Sequence, residues 1–420
     1  MSLAPDLVLL TAAYPFGTSS ETFLEAELPV LGARFRRVFV LPSHRDEGAR
    51  PLPDNAELVE MPWLDDASSL RRWGALASPA AVGSYARTLA AREGNLGVYL
   101  GQYRRLYADM LARELLKERW LQEWLERRGL RDALGYDYWF VNSTLALARV
   151  RASGGFRAAV ARAHAFDLYE DRWPGHRVPF AEEKARGLDR VFAVSEHGAA
   201  ALRRSLPGQR ETVGRAYLGV ERPKEEATPP APLDDEGAPP LVVSCASLKP
   251  RKRIDLIPEA LARLERPVRW VHFGDGPERE RVEAAAAALP DRVEWTLAGH
   301  VDRDEVLAFY RRRSVDALVS MSEAEGLPFS MMEAIAHGIP VVAVGVQGVP
   351  ELVGEDTGIL LDPDAGPLEA AAALTRALEP GRFDRGRIRA VHRRLFDAES
   401  NYNRFCDVLI DCWQAQGPVR

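Results

Sequence analysis

Residues 316–334 read DALVSMSEAEGLPFSMMEA, and this stretch contains the feature that decides the fold. Its first five residues form a mostly apolar run, as in a strand of a sheet that is covered on both faces. A helical pattern follows from residue 329, and Pro328 suits a first helical turn because its missing N–H is not needed there. A strand that passes through a short loop into a helix is the unit of a doubly wound α/β domain.

The same alternation extends in both directions from this stretch. The second half of the chain predicts strands at 241–246, 268–273, 292–297, 316–320, 340–344 and 358–361, and helices at 254–264, 278–288, 303–312 and 329–337. The first half predicts strands at 6–11, 37–41 and 158–162, strand–helix units at 137–152 and 190–205, and helices at 21–31, 66–94 and 102–128. We therefore expect an α/β protein with two Rossmann-like domains.

A change of composition separates the two halves. Residues 221–240 (ERPKEEATPPAPLDDEGAPP) are dense in proline, alanine and acids and have no apolar periodicity, which predicts a linker. The expected domains are then 1–220 and 241–395. Two domains fit a chain of 420 residues. A ligand would bind in the cleft outside the carboxyl ends of both sets of strands.

Composition excludes several classes of protein. A net charge of −6 does not favour binding to nucleic acid. The sequence contains no run of 18 apolar residues, so it predicts no membrane-spanning helix. The start of the sequence lacks the pattern of a signal peptide, and the three cysteines have no metal-ligand spacing, so we expect a cytoplasmic protein. Residues 102–128 carry tryptophans and arginines as a membrane-surface helix would, but interspersed acids favour a packed amphipathic helix. Peripheral binding to the inner membrane surface is the less favoured alternative.

The segment after residue 320 also predicts a site. Gly326 allows a ligand to approach the backbone, and the N–H groups of the helix from Phe329 onward, with the helix dipole, would attract a phosphate. Carboxylates beside a phosphate site are suited to accept hydrogen bonds from hydroxyls, which makes sugar or ribose hydroxyls the natural partners of Glu325 and Glu333. The alternative is that these two acids bind no ligand and only interact favourably with the positive end of the helix dipole.

Glu325 and Glu333, with seven residues between them and AHGIPVV at 336–342, resemble the EX7E signature of retaining GT-B glycosyltransferases of family 4. The resemblance continues in four other places: PRKRIDL at 250–256, FGDGP at 273–277, AGHV at 298–301 and GVPELV at 348–353. It is looser in the first half, in YPF at 14–16, ETFL at 21–24 and RAH at 162–164.

The resemblance implies a role for each matched position. Glu333 would take the ribose hydroxyls of a nucleotide sugar and Glu325 the hydroxyls of the transferred sugar, while Lys252 would neutralise the diphosphate. The remaining implied donor contacts are the backbone of Gly326, Leu327, Pro328, Phe329 and Ser330 for the diphosphate, the Gly274 turn, and His300 with Val301 for the nucleobase. His164 would hydrogen-bond the donor sugar, and Gly17 with Thr18 would face the acceptor or the diphosphate. The C-terminal helix, within 396–420, would cross back to the first domain.

Two departures from the family pattern stand out. Ser247 occupies the position where many relatives carry an arginine that also binds the diphosphate. Lys249, Arg251 or Arg253 could replace it, and Lys249 ranks first because it is nearest in sequence; alternatively all three are solvated loop charges. Pro328 replaces a glycine that is often found in the signature.

The function implied is that of a retaining, metal-independent hexosyltransferase without a cofactor. It would move a hexose from a nucleotide-diphosphate sugar to the hydroxyl of a sugar, glycolipid or small-molecule acceptor, in glycan, polysaccharide or glycolipid biosynthesis. No Asp-X-Asp pair lies in a context that predicts a metal site. The alternative is a nucleotide-sugar-binding protein of the same fold without transferase activity, which Ser247 alone favours.

Overall fold

A computed structural model describes residues 4–17, 21–61, 79, 82–83, 104–141, 143–169, 173, 178–223 and 237–417. The chain divides into two compact units, the first formed by residues 1–217 with 399–420 and the second by residues 218–398. Most of the helix predicted at 66–94 and most of the linker predicted at 221–240 lie outside the described residues.

The described strands and helices are numbered in chain order. The strands are β1 (Leu7–Thr11), β2 (Val38–Pro42), β3 (Ala56–Leu58), β4 (Leu134–Asp137), β5 (Ala158–Ala163), β6 (Arg190–Ala193), β7 (Val213–Arg215), β8 (Leu241–Cys245), β9 (Val268–Phe273), β10 (Val293–Gly299), β11 (Val315–Ser320), β12 (Val341–Val344) and β13 (Gly358–Leu361). The α-helices are α1 (Leu24–Arg34), α2 (Arg104–Arg128), α3 (Thr144–Ala152), α4 (Ala165–Leu168), α5 (Ala181–Gly187), α6 (Glu196–Ser205), α7 (Leu256–Leu261), α8 (Arg279–Ala287), α9 (Arg303–Arg312), α10 (Phe329–Ala336), α11 (Pro367–Ala377), α12 (Arg385–Leu395) and α13 (Ala398–Ala415).

The first unit contains a seven-stranded parallel sheet in the order β3-β2-β1-β4-β5-β6-β7. Strand β1 lies inside the sheet, between β2 and β4, and every residue of it is buried, as its apolar run predicts. Helix α2 buries Leu111, Trp124 and Leu125 in this unit, which accounts for the spacing of its aromatic residues. Among the described residues, no helix combines the length and apolar character that crossing a bilayer requires.

Several details of the first unit differ from the sequence prediction, which also lacks the short helices α4 and α5. The strand expected at the start of 137–152 lies earlier, at 134–137, and only the helix from Thr144 follows. Helix α1 begins at Leu24, not at residue 21, because Glu21 has a left-handed backbone with φ of 51°. The short strands β3 and β7 were not predicted, since three residues carry no readable periodicity.

The second unit contains a six-stranded parallel sheet in the order β10-β9-β8-β11-β12-β13. The strand order reverses between β8 and β11, and in open α/β sheets this switch point is where ligands bind, outside the carboxyl ends of the strands. The loops that leave β8 and β11 therefore define the region to examine. With two doubly wound parallel sheets, the fold is the one that the sequence predicts.

Candidate functional site

The loop 321–328 leaves β11 at the switch point and leads into helix α10. Gly326 and Leu327 are buried, and Pro328 is the N-cap residue, with φ of −72° and ψ of 124°, so it directly precedes the first turn. The first intrahelical bond runs from the amide of Met332 to the carbonyl of Pro328. The positive end of the helix dipole lies at this first turn, which makes the start of α10 suited to an anion.

Glu325 and Lys252 form an ion pair between Lys252 Nζ and Glu325 Oε1. Lys252 ends a short 3₁₀ segment (Pro250–Lys252) after β8, and Glu325 lies in the loop after β11. Their side chains are 14% and 12% exposed, so both are shielded from most solvent but still reachable. The structure thus joins two residues that lie 73 positions apart in the sequence.

Backbone contacts hold these two loops together. The amide of Glu323 donates to the carbonyl of Arg251 at 3.0 Å, and Nε of Arg253 donates to the carbonyl of Met321 at 2.6 Å. Arg253 has a left-handed backbone with φ of 47°, which turns the chain after the 3₁₀ segment. These contacts fix the position from which Lys252 reaches Glu325.

The candidates for the missing arginine differ in their surroundings. Lys249 and Arg251 are exposed on the loop after β8, and Ser247 is half-buried there. Arg253 is half-buried and engaged with the loop after β11 through Met321. That Lys249 replaces the missing arginine therefore remains a prediction. The side chain of Arg253 is already engaged with the carbonyl of Met321.

Glu333 lies in the second turn of α10 and is only 6% exposed. Its Oε1 accepts a hydrogen bond from Nε of Arg303 at 2.5 Å. Burial raises the pKa of the Glu333 carboxyl, and the charge and hydrogen bond of Arg303 act in the opposite direction. Arg303 is the first residue of α9 and was not identified from the sequence.

Three further titratable groups near Glu333 are neutral near pH 7. Burial, followed by the effect of Glu333, raises the pKa of the Cys245 thiol to about 12, and burial also raises the pKa of the Tyr310 hydroxyl well above its ordinary value. The pKa of His337 is lowered by burial, so its ring is neutral near pH 7, and its Nδ1 lies 2.8 Å from the backbone carbonyl of Glu333.

The glycine turn after β9 packs against the loop after β8. Gly274 has φ of 141°, and a Cβ added there would lie 1.9 Å from the carbonyl oxygen of Ala246. The amide of Gly274 donates to the carbonyl of Gly299 at 2.8 Å, and the amide of Ala246 donates to the carbonyl of Phe273 at 3.0 Å, so the ends of β8, β9 and β10 lie together. Directly after Gly299, His300 is exposed and Val301 is half-buried.

In the first unit, the carboxylate of Glu21 binds the backbone of the loop that follows β1. This carboxylate accepts from the backbone amides of residues 12–14 at 2.6–2.9 Å and from the indole Nε1 of Trp139 at 2.6 Å. Gly17 is buried and left-handed, with its amide donating to the carbonyl of Gly48. Thr18 lies outside the described residues.

His164 follows β5 and is 7% exposed. Its Nε2 lies 3.2 Å from the carbonyl oxygen of Tyr138; since a carbonyl only accepts, Nε2 carries the proton. Its ring packs against those of Phe23, Tyr138 and Trp139 at centroid distances of 5.4, 4.9 and 4.5 Å. Burial, aided by the charge of Arg162, lowers the pKa of His164 to about 3, so the ring is neutral near pH 7.

Comparison with known protein families finds a similarity within the second unit. Residues 229–390 match the family model described as Glycosyl transferases group 1. This part of the chain is therefore similar to the domain that this family model describes. The amylovoran biosynthesis glycosyltransferase AmsK of Erwinia amylovora is 27% identical over 252 residues, which cover 54% of this chain and 59% of that protein. The chain spans about half the length of the first curated relatives that it matches.

Solved structures extend the comparison to the whole chain. Sucrose-phosphate synthase from Thermosynechococcus elongatus superposes with a TM-score of 0.69 at 16% identity and covers 98% of this chain and 100% of that one. Anabaena Alr3699/HepE, solved in complex with UDP-glucose, superposes with a TM-score of 0.60 at 16% identity and covers 96% of this chain and 99% of that one. At these identities the comparison shows the fold, which is GT-B.

Proposed function

We propose that this protein is a retaining glycosyltransferase that moves a hexose from a nucleotide-diphosphate sugar to an acceptor hydroxyl. The observation that carries the proposal is the arrangement around α10: a helix start suited to a diphosphate, with Glu325 before it and Glu333 inside it. Each carboxylate is paired with a cation from another loop or helix. The structure of Alr3699/HepE with UDP-glucose supports a donor of this class.

Each group of the second unit then has a defined task. Glu333 accepts hydrogen bonds from the ribose hydroxyls, and Glu325 accepts from hydroxyls of the hexose. The amides at the start of α10 and the ammonium of Lys252 stabilise the charge that grows on the diphosphate as the glycosidic bond stretches. His164, in the first unit, is a neutral hydrogen-bonding group in this proposal.

The reaction needs no nucleophilic side chain. The acceptor oxygen forms its bond to C1 of the hexose on the face from which the diphosphate leaves. The C1–O bond breaks with its electron pair on the diphosphate, whose oxygen receives the acceptor proton. Catalysis then comes from placement and from electrostatic stabilisation. We propose that Lys252 and the helix amides supply this stabilisation without a divalent cation.

The test is turnover of UDP-, GDP- and ADP-glucose and -mannose with a panel of sugar acceptors, followed by NMR of the product anomer. An α-linked product from an α-linked donor supports the proposal, and an inverted product contradicts the retaining mechanism. Activity that survives excess EDTA supports metal independence, whereas activity that returns only with Mg²⁺ or Mn²⁺ contradicts it. Nucleotide binding without turnover would favour a binding protein instead.

Biosynthesis of a glycan, polysaccharide or glycolipid is the setting that we propose. The name of AmsK, which refers to amylovoran biosynthesis, supports this proposal. A screen that includes lipid-linked and soluble sugar acceptors would distinguish glycolipid biosynthesis from glycan or polysaccharide biosynthesis.

A further inference from the structure

We infer that Arg303 is a positioning residue for the donor nucleotide: it holds the Glu333 carboxylate through Oε1 so that Oε2 is presented to the ribose hydroxyls. The inference rests on the proposed function, because it assumes that Glu333 meets a ribose. It adds a residue that lies outside the EX7E segment and is joined to it only through the fold.

The place of Arg303 is the first argument. It is the first residue of α9, where the positive end of the helix dipole disfavours a cation, and the residues around it, Asp302, Asp304 and Glu305, are the acids that such a position favours. Its side chain is nevertheless three-quarters buried, at 25% exposure. An arginine placed against the dipole and out of water needs a compensating partner, and Glu333 is that partner.

The second argument concerns the charge of Glu333. A buried carboxylate tends to take up a proton, and a protonated carboxyl accepts hydrogen bonds more weakly than a carboxylate does. The groups that face Glu333 from β8, α9 and its own helix are Cys245, Tyr310 and His337, and all three are neutral near pH 7. Within the described residues, Arg303 is the cation that opposes the rise in the pKa of Glu333.

The geometry adds the third argument. Contact through Nε fixes one carboxylate oxygen from the side of α9, so the rotamer of Glu333 is set before any ligand arrives. A carboxylate that is already oriented loses less conformational entropy on binding than a mobile one does. Arg303 should therefore act on the ribose contact in particular, and little on the base or the diphosphate.

The experiment compares ribonucleotides with their 2′-deoxy forms. Binding of UDP, GDP, ADP, dUDP, dGDP and dADP is measured by calorimetry at pH 6 and pH 8. The proteins compared are wild type, Arg303→Met and Arg303→Lys. The control is Arg312→Met, which alters an exposed arginine of the same helix. For the base that wild type binds, we expect Arg303→Met to weaken the ribonucleotide about tenfold or more and the deoxynucleotide much less. The loss should be larger at pH 6, since Glu333 protonates more readily without Arg303, and Arg303→Lys should recover part of it.

Equal weakening of both forms by Arg303→Met, or no weakening, would overturn the inference. If Arg303→Met does not fold, the ratio of the two affinities in Arg303→Lys decides in the same way: a ratio equal to that of wild type overturns the inference. Failure of wild type to bind any of the six nucleotides contradicts the proposed function instead, so the two failures are distinguishable.

Discussion

At the scale of single residues, both carboxylates of the EX7E segment form ion pairs. Glu325 pairs with Lys252 and Glu333 with Arg303, so each acid is held by a cation from a different part of the chain. In the proposed function, a donor would bind beside these ion pairs, and its diphosphate would compete with Glu325 for Lys252. Such competition would couple binding of the sugar to binding of the diphosphate.

The first prediction concerns Glu325→Ala and Lys252→Ala. Each should reduce turnover at least ~100-fold, because each removes a group that, in the proposed mechanism, would contact the sugar or stabilise the leaving diphosphate. Glu323→Ala is the matched control, since Glu323 is an exposed acid of the same loop, and it should retain near-normal turnover. The measurement is the rate of nucleotide release at saturating donor. Near-normal turnover in either site variant would contradict the assignment.

The second prediction concerns the protonation of His164. With its pKa lowered to about 3 by burial, its ring should stay neutral from pH 8 down to pH 5. The Cε1–H signal of His164, assigned by its loss in His164→Gln, should not move over this range. A titration midpoint near 6.5, the ordinary value for histidine, would show that the ring is more solvated than this account holds.

Single residues also mark the limit of sequence reasoning here. Glu325, Glu333 and Lys252 could be identified because they stand in recognisable segments. Arg303 could not, because its partner is 30 residues away and only the fold brings them together. The signal that would have found it is an arginine at a helix start among acids, where the dipole makes a cation unexpected.

At the scale of elements, the site depends on loops that approach one another closely after β8, β9 and β11. The strand and helix bounds that the sequence predicts in the second unit agree with the structure to within about three residues at each end. The prediction at 137–152 was wrong about the strand, since Gly135 and Asp137 interrupt the apolar run of β4. Asp137 is nevertheless buried, with Oδ2 accepting from the hydroxyl of Thr144.

The third prediction tests the close approach of two loops. Gly274→Ala would place a Cβ against the carbonyl of Ala246 and impose a positive φ on a residue with a side chain, so the backbone must shift. We expect a loss of about 2 kcal/mol or more in the free energy of unfolding and weaker nucleotide binding. Gly354→Ala is the control, because an added Cβ there meets nothing within 4 Å. Thermal melts that are equal for the two variants would contradict this packing.

At the scale of the whole molecule, the C-terminal helix α13 is part of the first unit. Phe405 is 3% exposed and packs its ring against Tyr136 and Phe192, and the guanidinium of Arg162 lies 4.0 Å from the centre of its ring. Arg162 itself is fully buried in an ion pair with Glu27. The last helix of the sequence thus completes the core of the unit in which the chain begins.

The fourth prediction follows from this packing. Phe405→Ala should destabilise the first unit by about 3–5 kcal/mol, because it leaves a cavity over a buried ion pair. Val408→Ala is the control on the same helix; Val408 is 38% exposed, and its truncation should cost less than about 0.5 kcal/mol. Urea unfolding followed by fluorescence gives both midpoints. Equal midpoints would show that α13 does not stabilise the unit.

The central claim is that the α10 region binds a nucleotide sugar through Glu333. The most direct test is a thermal shift with UDP, GDP, ADP and their glucose and mannose conjugates on wild type and Glu333→Ala. A nucleotide at ~100 times its dissociation constant should stabilise wild type by about 2.7 kcal/mol. We predict that one base shifts wild type and not Glu333→Ala. No shift with any nucleotide, or an equal shift in the variant, would contradict the claim.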